Sequence, residues 1–175
     1  MAAVFSVKVL ADFSKKAVES AAEYEASVSQ FSQVFGNLKT EAYESLEEIS
    51  KSTGILTERL KGSYTQMAAF AKTTGMTEKE SMDIANRAII AVADSAAFYD
   101  RSLEEVTESM RSFLKGNYAN DAALGLSATE YTRNAAAVKL YGKEFAELSE
   151  AQKQLTLLQM VEDANKLSGA MGQAS

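Results

Sequence analysis

Apolar residues recur at steps of three and four along nearly the whole chain, the period of a helix and not of a strand. Helix is therefore the one element class the pattern predicts. Met82, Ala85, Ile89, Val92, Ala96 and Tyr99 form one apolar stripe, and Val106, Met110, Phe113 and Leu114 form another, each wide enough to face a shared core. Frequent alanines on these stripes let helix axes approach at the short end of the usual range.

The start and stop signals divide the chain. Four Ser/Thr residues are each followed three positions later by Glu or Gln, the reciprocal arrangement that satisfies the orphan amides of a first turn. They are Thr77 with Glu80, Ser102 with Glu105, Ser127 with Glu130, and Ser149 with Gln152. Gly54, Gly75, Gly116, Gly125 and Gly142 each follow a helical stretch, where a left-handed residue closes a helix. Predicted helices run over about Phe13 to Thr53, with a break near Gly36 left open, then Thr57 to Thr73, Glu78 to Asp100 and Leu103 to Lys115. A single turn near Asp121 to Leu124 precedes helices over Ala128 to Tyr141 and Glu150 to Leu167. On this reading "GNYANDAALGLSATEY" is a stop at Gly116, a short turn, a second stop at Gly125 and a capped restart at Ser127.

The first predicted helix stands apart. Ala17, Ala21, Tyr24, Val28, Phe31, Phe35, Leu38 and Ala42 alternate steps of four and three, the spacing of a coiled-coil seam. Alanines mixed with large aromatics, and Gly36 inside the run, make the seam weak. It can pack onto its own bundle or serve self-association, and Tyr24, Val28, Phe31, Phe35 and Leu38 are the candidate contact residues. The expected architecture is all-α: a bundle of about six to seven short to medium helices, with residues 1–53 as a longer N-terminal stem and 54–175 as a compact helical domain.

Composition agrees with helix and removes most chemistry. The chain has 175 residues, 46% of them hydrophobic and 24% charged, and no proline. Its net charge of -6, with no block of Lys or Arg, lacks the electrostatic footprint of a nucleic-acid binder, and sequence-specific nucleic acid is not expected as a partner. Without cysteine or histidine there is no thiolate nucleophile, no disulfide, no His-based acid/base chemistry and no zinc site of the usual ligands. The start "MAAVFSVKVLADFSKK" carries Lys8 inside its apolar stretch and does not read as a signal peptide. The apolar run from Ala88 to Tyr99 contains Asp94 and is far shorter than the roughly 20 residues of a membrane span.

Paired carboxylates in "SLEEIS", "SLEEVT" and "EKES" sit in helix first turns or on polar faces, where they complement the helix dipole. The oxygens of "NYANDAALG" do not fit the twelve-residue calcium loop, and "GKEF" and "LKGS" lack the surroundings of a phosphate loop. No catalytic, cofactor or metal site is expected, and the chain does not read as an enzyme. Asp94, one turn from Ile90 and Phe98, is the polar residue expected to be partly buried, its carboxylate accepting from a neighbouring helix's amides or from a Lys or Arg. The tyrosines are dispersed along the chain and read as core and core-edge groups rather than as stacking platforms for single strands.

From about Gln30 onward the order of segments resembles the tape measure proteins of long-tailed bacteriophages. The likeness runs through "FSQVFGN", "STGILTERLKGSYTQMAAFAKTTGMTEKESMDIA", "AIIAVADSAAFYDRSLEEVTESMRSFLKGN" and "ALGLSATEYTRNAAAVKLYGKEFAELSEAQKQLTLLQMVEDANKLSGAMGQAS". It lies in ordered spacing, not in one invariant motif. Asn117 and Gln173 stand where that family has acidic residues. The resemblance implies a structural component of a phage tail, lying in the tail lumen and, before assembly, in the host cytoplasm. Its helical length would set tail length and help assembly and genome ejection. It implies tube, tail-tip and chaperone proteins as partners, allows a homo-oligomer, and implies that this chain is a fragment or the ordered part of a longer protein. The other reading of the same residues is a free-standing α-helical binding module or assembly chaperone acting through the Ala17 to Ala42 seam.

Overall fold

A computed structural model describes the backbone of residues 2–175 and all side chains except those of residues 2–8, 10 and 13. The described residues form seven α-helices and no strand: α1 (Ala2–Phe35), α2 (Lys39–Thr53), α3 (Thr57–Thr73), α4 (Glu78–Phe98), α5 (Leu103–Leu114), α6 (Glu130–Tyr141) and α7 (Glu150–Ser168). Short 3₁₀ segments lie at Gly36–Leu38, Tyr118–Leu124 and Phe145–Glu147. The fold is the all-α architecture the periodicity predicts. Helix α1 begins at Ala2 rather than Phe13, since neither glycine nor proline precedes Phe13 to stop it.

Three of the four expected capping boxes form. Oγ1 of Thr77 accepts from the Glu80 amide at 3.2 Å while the Thr77 amide donates to the Glu80 carboxylate at 2.8 Å. Ser102 with Glu105 and Ser149 with Gln152 close the same way. The fourth does not form. Helix α6 starts two residues later than expected, capped by Thr129, whose hydroxyl accepts from the Thr132 amide at 3.2 Å. Asp121 explains the shift: its carboxylate accepts from the Ala128 amide at 2.9 Å and holds the chain non-helical there. Ser127 therefore lies ahead of the helix, its carbonyl accepting from the Thr132 hydroxyl. Replacing Thr129 by alanine is expected to cost about 1 kcal/mol, the usual worth of an N-cap, and Ser127→Ala close to nothing. Urea unfolding of the two variants tests this, and equal losses would restore Ser127 as the cap.

All five expected glycine stops have positive φ. Gly169 closes α7 in the same way, and a non-glycine stop, Asp100 at φ 52, ends α4 two residues earlier than the apolar pattern suggests. Aspartate visits the left-handed region more readily than bulkier residues.

Helix α4 is the axis of the bundle. Ala85, Ala88, Ile89 and Val92 are fully buried, and α3 packs against α4 more extensively than any other pair of elements does. Fully buried Ala68 and Ala71 of α3 keep that approach close. Helix α7 also lies on α4 and runs parallel to it: Arg87 meets Gln159 and Glu162, and Ala91 and Ser95 meet Asn165. The core does not respect a boundary at residue 54, because Phe31, Phe35, Ala42, Leu46 and Ile49 belong to the same buried cluster as α3 to α5.

Candidate functional site

What leaves the bundle is α1. Among its described side chains, residues 14–30 are exposed except half-buried Ser27, and burial begins at Phe31. Val9, Val18, Tyr24 and Val28 are exposed apolar groups on this projection. Its described charges are Asp12, Lys15, Lys16, Glu19, Glu23 and Glu25. A Lys15–Glu19 contact at 4.0 Å is wide open to solvent and contributes little.

The root of α1 is held by aromatic packing and two lysines. The Phe35 ring stacks on Tyr64 of α3 with centroids 5.1 Å apart, and Phe31 lies 4.6 Å from Phe35. Tyr64 is fully buried and its hydroxyl donates to Asn86 of α4 at 2.6 Å. Burial pushes its phenol pKa up, and the carboxylates of Asp83 and Glu41 add to the shift. Lys61, only 5% exposed, places its ammonium 3.2 Å from Glu58 and 5.6 and 5.7 Å from the ring centres of Tyr24 and Tyr43. A desolvated lysine with a carboxylate and two ring faces is a compensated charge. Lys72 donates to the Val34 carbonyl at 2.8 Å, at the negative end of α1. Glu78 lies 3.6 Å from the same ammonium and fills the space beside Gly36, where the helix breaks. At the surface Lys79 bridges Glu41 of α2 and Asp83, which hold its pKa up, the Glu41 hydrogen bond first.

The five expected seam residues therefore do not share one free surface. Phe31 (6% exposed) and Phe35 (1%) face the chain's own core, Leu38 packs half-buried against it, and Tyr24 and Val28 remain outside. The reason is Tyr64, which supplies an intramolecular ring where a partner helix would have to supply one. The anchor residues Lys61, Tyr64 and Lys72 carry no sequence signal beyond the Glu58–Lys61 spacing, which reads equally as a solvated helix face.

The other singled-out residues serve the fold. Thr77, Ser102 and Ser149 start helices, and Gly116 and Gly125 close segments. Asp94 is buried, as expected, but its donor is a C-terminal tail amide, Ala174 at 3.2 Å, and not a neighbouring helix or a cation. Arg133 stacks 3.9 Å over the Tyr118 ring and donates to the Ala128 carbonyl, binding α6 to the turn before it. Among the described residues no group of three or more His, Cys, Asp or Glu could hold a metal ion, and no helix is long and apolar enough to cross a membrane. The chain matches no protein-family profile, no curated protein and no solved structure.

Proposed function

We propose that this chain is a structural region of a long-tailed phage's tape measure protein, a compact helical module carrying part of the ruler. The observation that supports it is α1, a 34-residue helix whose exposed portion runs free of the bundle. At about 1.5 Å per residue such a helix spans about 50 Å, and length encoded as helical rise is what a ruler needs. The anchor of Phe31, Phe35, Lys61 and Lys72 fixes the direction in which that helix leaves the body. Tube, tail-tip or chaperone proteins are the partners this reading names, with the tail lumen as its place after assembly. The exposed Tyr24 and Val28, one turn apart, also suit a free-standing helical binding module or assembly chaperone, because an apolar stripe on a free helix is a docking element.

Mass spectrometry of purified particles induced from the source strain separates the two. The tryptic peptide "GNYANDAALGLSATEYTR", residues 116–133, is expected in assembled tails at low copy number. Its presence only in soluble cytoplasm would overturn the tail reading and leave the binding module.

A further inference from the structure

Helices α4 and α7 and the C-terminal tail border a cavity of about 260 Å³ lined by Arg87, Ile90, Asp94, Glu162, Asn165 and Met171. Asp94 is 6% exposed. Among the described residues its hydrogen-bond donor is the Ala174 amide, which engages one carboxylate oxygen. Arg87, two turns earlier on α4, pairs with Glu162 and Gln159 and makes no ion pair with Asp94. A carboxylate accepts at about four lone-pair sites, and one is used here. Its remaining lone pairs carry no protein donor among the described residues, so a cation entering the cavity gains a charge-assisted contact. The charged groups facing the cavity sum to one negative charge: Asp94 and Glu162 against Arg87.

We propose that this cavity binds a primary ammonium group carried on a short aliphatic stem, with Asp94 as its counter-ion. Three features select that chemistry. The Ala174 amide already engages one Asp94 oxygen, so an ammonium, which needs a single acceptor, fits with less rearrangement than the two-oxygen fork of a guanidinium. Hard divalent cations need six or more oxygens, whereas Ile90 and Met171 present apolar walls. Those two residues are 41% and 56% exposed, so they form a rim that a stem can pass and cover. Met171 sits between Gly169 and Gly172, and a methionine wall adapts to the stem it meets. The site is separate from the α1 projection and does not depend on the tail reading.

The test is a two-dimensional amide NMR titration of the full chain with n-butylammonium, with n-butanol as the uncharged control. A ligand this small is expected to bind with Kd on the order of 1 mM, shifting amides around residues 90–94 and 165–174. Asp94→Asn keeps an acceptor for Ala174 and is expected to weaken butylammonium at least about tenfold, the loss of one charge-assisted contact. Ile90→Lys places an internal ammonium one turn from Asp94, at a half-exposed position that tolerates it, and is expected to abolish binding without unfolding. N-acetyl-lysine amide distinguishes the sources: tighter binding than butylammonium identifies a partner protein's lysine, and equal binding a free amine. The proposal is overturned if butanol binds as tightly as butylammonium, if Asp94→Asn and Ile90→Lys both bind like the parent, or if no saturable shift appears.

Discussion

Phe35→Asp is expected to lose most of the protein's folding stability, the largest effect of any single change at the root of α1. Phe35 is 1% exposed and stacks on a Tyr64 that is fully buried. Removing a buried phenylalanine side chain costs about 3 to 5 kcal/mol through lost transfer energy and the cavity left behind. Aspartate adds an unpaired carboxylate in an apolar site, and domains of this size hold only about 5 to 15 kcal/mol in total. The far-UV signal should therefore be lost at much lower urea than in the parent. Tyr24→Asp, on the same stripe but 57% exposed, is expected to cost no more than about 1 kcal/mol, the worth of its ring's contact with the Lys61 ammonium. A parent-like urea midpoint for Phe35→Asp would mean that α1 is not seated in the bundle. The contrast also sets how association is probed. Aspartates at Phe31 and Phe35 disrupt the core before they report on any partner, whereas Tyr24→Asp and Val28→Asp leave the core intact.

The difference between those residues also shows where sequence stops being informative. Thr77, Ser102 and Ser149 were legible because a cap is a local bargain between a hydroxyl and an amide three residues on. Ser127 and Thr129 are equally able caps, and the choice between them rests on Asp121, in the preceding turn, which no spacing rule includes. Asp100 ends a helix without being a glycine. The heptad steps from Ala17 to Ala42 identified the face that gets buried from Phe31 onward, but periodicity gives a face and not its occupant. Lys61 is the sharpest case. Nothing in "ERLKGSY" separates a lysine waving in water from one enclosed by Glu58, Tyr24 and Tyr43, because two of those groups come from other helices. Asp94 stands out in the sequence by lying in an apolar run, yet its donor lies 80 residues away in the tail.

Gly125→Ala tests the turn that opened the second half of the bundle, and its expected cost is about 3 kcal/mol. Two terms make it up. The residue sits at φ 74, where a side chain with a Cβ is disfavoured by about 1 to 2 kcal/mol. The added Cβ would also lie 2.1 Å from the Tyr99 hydroxyl and 2.8 Å from the ring carbon that bears it, far inside contact distance. Tyr99 cannot swing away freely, since its ring meets Phe98 edge-on at 4.9 Å just before the Asp100 stop. The turn must move instead, and with it the Asp121 contact that sets the start of α6. Gly142→Ala separates the terms: φ is 68 and nothing lies within 4 Å of its Cβ, so it should show the backbone cost alone, about 1 kcal/mol. Tyr99→Phe in the Gly125→Ala background removes the nearest atom and should recover part of the difference, leaving the 2.8 Å ring contact in place. Equal urea midpoints for Gly125→Ala and Gly142→Ala would show that Tyr99 does not pack against the turn, and that the glycine is required for its backbone angle only.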